Sequence, residues 1–216
     1  MAGRGLLVLA LLAPALLCSC DRNPLYGRLG ADYFPVTTLD SEWEYSLGQG
    51  GSLVVSVVDQ VVMGEKTAFK VQTGAGFSFW TGENGELLHY EDHSVIFNGF
   101  EVALYRGWLP YLRWPLAVGN CWSDSVVSWA TSQEGVTISH DWVRKTSVLG
   151  LGSSSGYDDC YHVYQQERTI DWIQSAGFSP ETTIVNRHMW LAPDVGMVFK
   201  STADSTLTLT SYEPGP

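Results

Sequence analysis

The sequence predicts a mainly β protein: one antiparallel curved sheet, a half-barrel or open barrel, with two similar halves in one domain. Three observations carry this. Apolar and polar residues alternate with a period of two, glycine-centred turns separate the alternating runs, and an aromatic-Pro-aliphatic block ahead of a tryptophan occurs twice. At 216 residues one core is large enough to be stable, and 45% apolar against 16% charged residues excludes a disordered chain.

The first element is an address. Arg4 supplies a positive start, and Leu6 to Leu17 is an apolar run broken only by Pro14. A membrane span needs about 20 apolar residues, so this shorter run reads as a secretory signal. Leu17-Cys18-Ser19-Cys20 resembles a bacterial lipobox, which implies that Cys20 is lipid-modified and becomes the new N-terminus. Residues 1–19 are then the signal peptide, 20–31 a flexible tether and 32–216 a single β-rich domain. Several acyl chains anchor firmly, because each buried CH₂ contributes about 0.8 kcal/mol. The tether reaches about 40 Å extended and ~20 Å as a coil, which keeps the domain close to the bilayer.

The strands follow. In Lys66 to Thr73, Phe69 and Val71 share one face and Lys66, Lys70 and Gln72 the other. Val136, Ile138, His140 and Trp142 lie on one side of a strand, opposed by Thr137, Ser139 and Asp141. Leu207 and Leu209 alternate with Thr206, Thr208 and Thr210. Such strands bury one face and wet the other. Turns fall at Gly48-Gln49-Gly50-Gly51, Met63-Gly64-Glu65, Glu83-Asn84-Gly85 and Glu134-Gly135. From Phe100 to Trp114 the pattern is ambiguous, but Gly107 and Pro110 oppose a long helix. Phe34-Pro35-Val36 precedes Trp43 as Trp114-Pro115-Leu116 precedes Trp122, and proline suits a strand start because it has no N–H to donate. No low-complexity linker separates the halves.

These blocks resemble a family of uncharacterised bacterial exported lipoproteins. Asp32-Tyr33-Phe34-Pro35-Val36 with Trp43-Glu44-Tyr45 is similar to its opening Tyr-Phe-Pro-Leu and Trp-x-Tyr. Trp114-Pro115-Leu116-Ala117-Val118-Gly119-Asn120-Cys121-Trp122 resembles its second Pro-Leu-x-Val-Gly block, and Gly156 to Val163 its Cys-containing segment. Trp190-Leu191-Ala192-Pro193-Asp194-Val195-Gly196 is similar to its late Trp-Leu-Ala-Pro-Gly-Val-Gly turn. Two departures stand out: Thr37 to Asp40 lacks the glycine of the first turn, and Asp194 replaces a glycine in the last. The resemblance implies a β-rich lipoprotein, curved like the half-barrels of periplasmic lipoprotein carriers, and it assigns no activity.

Charge and chemistry narrow the function. With 12 Lys+Arg against 23 Asp+Glu, the net charge of −11 opposes nucleic-acid binding, which depends on basic side chains releasing counterions. Cys121 and Cys160 would face an oxidising compartment after export, where a disulfide and two buried free thiols are both open. Gly152-Ser153-Ser154-Ser155-Gly156 matches G-x-S-x-G, with Asp171 and His188 following, but a nucleophile elbow needs strand–turn–helix and a strand pattern resumes at Cys160. His89, Glu91 and His93 share a strand face as the best metal candidate, although alternate residues sit ~7 Å apart and no third element must converge there. We therefore assign no catalytic residue, metal or cofactor.

Nine tryptophans fill a thin sheet or line a concave apolar groove, and Arg106 or Arg113 could receive an anion locally. Asp171 to Phe178 reads as an extended loop with exposed apolar residues, which makes Trp172 and Phe178 candidate contacts for a ligand or partner. The reading is a non-catalytic lipoprotein anchored in the cell envelope, on its periplasmic or extracellular face, that binds an apolar ligand or an envelope protein. A structural envelope component is the alternative, and a hydrolase a distant third.

Overall fold

The computed structural model describes residues 32–97, 99–131, 135–174 and 179–216. The expected signal peptide, the expected tether with Cys20, and Phe178 lie outside the described residues.

The described residues contain strands and turns and no helix. In chain order the strands are β1 (Glu42–Leu47), β2 (Ser52–Met63), β3 (Lys66–Thr73), β4 (Gly76–Glu83), β5 (Glu86–Phe97) and β6 (Phe100–Arg113). The second half supplies β7 (Cys121–Thr131), β8 (Thr137–Ser154), β9 (Tyr157–Gln174), β10 (Glu181–Ala192), β11 (Gly196–Ser201) and β12 (Thr206–Glu213). They form one antiparallel 12-stranded sheet in the order β6-β5-β4-β3-β2-β1-β12-β11-β10-β9-β8-β7. The sheet curls into a barrel closed everywhere except at one seam, where β6 and β7 face each other without backbone pairing. The expected open barrel is thus present, and the ambiguous stretch from Phe100 is a strand.

Each half is a six-stranded meander, β1–β6 and β7–β12. Trp43 and Trp122 are both the second residue of the first strand in their half, which accounts for the repeated block. The two joints between halves occupy equivalent places and differ. At the first, β1 pairs with β12, with Trp43 opposite Tyr212 and their rings stacked at 5.3 Å. At the second, only side chains bridge β6 and β7: Arg113 Nη2 donates to Asp124 Oδ1 at 2.7 Å, and Leu109 packs with Val126 and Trp142. Pro110 is tolerated in β6 because this strand pairs on one side only.

The four family-like blocks meet at one end of the barrel and close it. The Trp43 indole donates to the Val195 carbonyl, Tyr33 packs edge-on against Tyr161 at 5.0 Å, and Phe34 lies against Trp80 and Tyr111. Asp194 N donates to Asp32 O at 2.6 Å, and Asp32 N donates to Asp194 Oδ1 at 3.0 Å. A Cβ at Gly196 (φ 96°) would come within 3.1 Å of Pro35 Cδ, so only glycine lets the first block seat there. Both departures from the motif occupy left-handed backbone, Asp40 at φ 60° and Asp194 at φ 58°. Aspartate tolerates this conformation better than most other non-glycine residues, so both turns form without a glycine. Among the described residues no segment crosses the opposite end.

Between these ends the interior is layered. Near the closed end Leu87, Val148, Val163, Leu191 and Val198 form an apolar core. The expected faces hold: Ile138, His140 and Trp142 point inward and are buried, and so do Val71 and Leu209.

Candidate functional site

The half of the interior toward the open end is polar, and strand register builds it. On β5, His89, Glu91 and His93 alternate into the lumen. On β8, His140, Trp142, Arg144 and Thr146 do the same and are all buried. The partners of His140, Arg144 and Thr146 on β9 are Asp171, Glu167 and Gln165. Arg187 stands opposite Gln165 on β10, and Lys200 opposite the buried Met189 on β11.

Arg144 is the centre of this layer. Its Nη2 donates to Glu91 Oε1 at 2.6 Å and to Glu167 Oε2 at 3.2 Å, and Arg187 Nη1 donates to the same Glu167 oxygen at 3.0 Å. The guanidinium also lies 4.7 Å from the Trp142 ring and 5.3 Å from that of Tyr111, within cation–π range. Burial alone would raise the Glu91 carboxyl, but contacts from His89 and His93 and the Arg144 charge outweigh it and hold the group far below the usual range. Glu167 is likewise held low, against its burial, by Arg187 and Arg144. Lys200 is pushed down by burial and by the Arg187 charge, with Glu167 opposing.

A histidine chain lies nearer the opening. His140 Nδ1 lies 2.6 Å from Asp171 Oδ1, and its Nε2 lies 2.6 Å from His93 Nδ1. His89 Nδ1 is 3.0 Å and His93 Nε2 3.7 Å from the Glu91 carboxylate. Tyr111 floors the polar layer, its hydroxyl donating to Met189 Sδ at 3.2 Å and its carbonyl accepting from Gln165 Nε2 at 3.1 Å. Solvent still reaches inside: the side chains of Glu91 and Arg187 keep 15% and 20% exposure.

Several expected arrangements are not assembled. The Gly152–Gly156 run is a strand–turn–strand at the closed end, where Ser153 Oγ donates to Asp158. Asp171 binds His140 at the other end of the barrel, and His188 sits on the outer face 3.0 Å from His162. The motif serine Ser154, Asp171 and His188 therefore form no triad. His89, Glu91 and His93 do point the same way, but both imidazoles turn to the carboxylate. Among the described residues no group of three His, Cys, Asp or Glu converges for a metal ion. Cys121 and Cys160 are free thiols, the first exposed and the second buried.

Trp43, Trp80 and Trp142 are buried in the core, and Trp43 with Phe34, Pro35 and Tyr45 lines a small apolar pocket. Trp172 is 39% exposed on the outer face, in the same cross-strand row as Ser139 and the 71% exposed Trp129. Arg106 and Arg113 are committed to Asp92, Glu101, Glu86 and Asp124. The lumen cations Arg144, Arg187 and Lys200 were not singled out by motif. The signal for them was present: each sits on the apolar parity of its strand, two residues from Trp142, Met189 and Val198 respectively.

Fold and interior together define an up-and-down β-barrel with one unsealed seam, an apolar closed end and a charged lumen. Among solved structures the chain is similar to one described as a putative lipoprotein from Parabacteroides distasonis, with TM-score 0.50 and 14% identity over 85% of this chain and 99% of that one. At that identity the likeness establishes the fold. No protein-family model matches the sequence, and no curated protein does.

Proposed function

We propose that the chain is a non-catalytic, membrane-anchored lipoprotein of the bacterial cell envelope whose barrel takes up a ligand from its open end. The observation that carries the anchoring is Leu17-Cys18-Ser19-Cys20 closing the apolar run Leu6 to Leu17. The fold likeness to a protein described as a putative lipoprotein supports it. So does the chain path: Asp32, the first described residue after the tether, is bonded at the closed end. A lipid on Cys20 then holds the closed end toward the membrane and leaves the polar lumen facing away. The charged interior favours a polar ligand over the apolar one suggested by the tryptophan content.

Replacing Cys20 by serine tests the anchor. The variant is expected to leave the membrane fraction or to accumulate unprocessed, while the parent protein yields an acylated N-terminal peptide at Cys20 by mass spectrometry. An unmodified mature N-terminus at another residue overturns the reading. The hydrolase alternative predicts an esterase activity abolished by Ser154→Ala, and the strand–turn–strand setting of that serine opposes it.

A further inference from the structure

Polar side chains bridge the seam between β6 and β7 from its closed end toward its opening. Arg113–Asp124 lies toward the closed end, Arg144–Glu91 in the middle, and His140–His93 nearest the opening. The histidine contact differs from the other two in its chemistry. His93 Nδ1 and His140 Nε2 are 2.6 Å apart, so a single hydrogen fits between them. A neutral imidazole has one N–H and one acceptor nitrogen, whereas a charged one has two N–H groups. The contact therefore survives while either ring alone is charged. It fails when both are, because two N–H groups then point at each other.

The surroundings let both rings take up a proton. His140 Nδ1 lies 2.6 Å from Asp171 Oδ1 on β9, and His93 Nε2 lies 3.7 Å from Glu91 Oε2 on its own strand. Each ring thus has its own carboxylate, and such a neighbour favours the imidazolium. Asp92, also on β5, adds a third negative charge that interacts with His93. His89 Nδ1 lies 3.0 Å from the same Glu91 carboxylate. From β6 the Tyr105 ring faces His93 at 5.9 Å, and on β7 Ser128 stands opposite His140. On β8 the cation is Arg144, already bound to Glu91 and Glu167, and the Trp142 ring lies 5.5 Å from His93. The Asp171 side chain is 41% exposed, so protons reach the chain from solvent. A second histidine pair, His162 and His188 at 3.0 Å, joins β9 and β10, whose backbones are paired throughout that region. Charging that pair leaves its strands together.

We propose that His93 and His140 form an acid-released latch on the seam. Imidazoles are the side chains that change charge between about pH 5 and 8. At neutral pH the shared hydrogen holds β5 to β8 near the rim. As the pH falls each ring binds one proton and the contact parts. The rim between β6 and β7 then spreads, because no backbone ladder holds these two strands together. Arg144–Glu91 and Arg113–Asp124 stay in place, so the barrel opens at one end and does not unfold. Raising the pH releases the two protons and closes the rim again. The latch goes beyond the ligand-uptake reading and stands whether or not Cys20 anchors the chain. Under that reading it makes access to the lumen pH-dependent.

Double electron–electron resonance on the full exported protein tests this. Nitroxides are placed at two exposed positions, Ile96→Cys on β5 and Val127→Cys on β7, in a Cys121→Ser background. Between about pH 7.5 and about pH 5 the label separation is expected to grow reversibly by several ångströms. Ring ¹⁵N NMR of the five histidines, each assigned by single substitution, is expected to show His93 and His140 both charged at about pH 5. His140→Gln and His93→Gln each keep a donor and an acceptor but cannot titrate, and are expected to abolish the pH response in folded protein. His162→Gln is expected to leave the response intact. A separation in the parent that stays constant over this range overturns the latch. So does a histidine pair that takes up no more than one proton, or a response retained in both glutamine variants of the pair.

Discussion

Arg144 on β8 donates to Glu91 on β5 at 2.6 Å, joining the strands one place in from the two edges, β6 and β7, that face each other across the unpaired seam. Together with Arg113–Asp124 and the Gln165 amide on the Tyr111 carbonyl, this contact replaces the missing backbone ladder. Removing the cation takes from the buried Glu91 carboxylate its arginine and leaves Glu167 with Arg187 alone. Arg144→Met is therefore expected to cost about 3–5 kcal/mol in urea denaturation. The double variant Arg144→Met, Glu91→Leu is expected to recover most of that loss, because Glu167 keeps its pair with Arg187 and no buried carboxylate is left without a cation. A double variant as unstable as the single one refutes the electrostatic account.

Acid tests the same network. Glu91 and Glu167 have folded pKa values below their ordinary 4.5, so the folded state binds fewer protons than the unfolded one in acid. Their contribution is complete above pH 4.5 and is lost progressively as pH falls below it. Denaturation midpoints measured between about pH 6 and pH 3 should fall steeply at the acid end. Glu91→Gln should flatten that slope; an unchanged slope assigns the acid sensitivity to other carboxylates.

The two aspartates in left-handed turns predict opposite responses to glycine. Asp40 (φ 60°) uses its backbone N–H on the Val57 carbonyl, and no side-chain bond from it is seen. Asp40→Gly is expected to stabilise the fold by about 0.5–1 kcal/mol, and Asp40→Ala to destabilise it by a similar amount. Asp194 (φ 58°) also accepts the Asp32 N–H on its carboxylate, so Asp194→Gly gains conformational ease and loses a clasp on the first block. Its thermal midpoint should stay level or drop. A rise as large as that of Asp40→Gly shows the clasp to be dispensable.

Thiol chemistry separates the two cysteines. Cys121 is exposed, whereas Cys160 is fully buried and its thiol is raised by burial and by the nearby Asp158 and Asp159 charges. Iodoacetamide on the native protein should label Cys121 and spare Cys160 until denaturant is added. Neither should need reductant first, and a reductant should leave the melting temperature unchanged. Labelling that appears only after reduction contradicts the free thiols.

Much of the barrel was legible in the chain. Period-two alternation located the strands Lys66–Thr73 and Thr206–Glu213 and the inward face of Ile138, His140 and Trp142, because a half-buried strand writes its two faces into alternate positions. Glycine-containing turns marked hairpins, and the repeated Pro block foretold two similar halves, which the structure forms as two meanders. Local chemistry also aligned His89, Glu91 and His93 on one side of a strand. That is where local information stops. The partners of these side chains are distant in sequence: His140 is 47 residues from His93, Asp171 is 31 from His140, and Arg144 is 53 from Glu91.

Which residues meet across a lumen depends on the pairing register of every strand between them, on bulges such as that between His93 and Ser94, and on how the sheet closes. Closure also decided the fate of the tryptophans. A flat or half-open sheet would have left an aromatic groove, but a barrel that folds back on itself uses Trp43, Trp80 and Trp142 as filling. The sequence alone determined strands, turns, the two halves and the lipobox-like start, since these depend on neighbours a few residues apart. Tertiary structure alone decided that the motif blocks form the closed end, that the β6–β7 joint stays unsealed, and that Arg144, Thr146 and Gln165 share a buried polar wall. Those outcomes follow from long-range packing, where a one-residue change of register turns every inward side chain out.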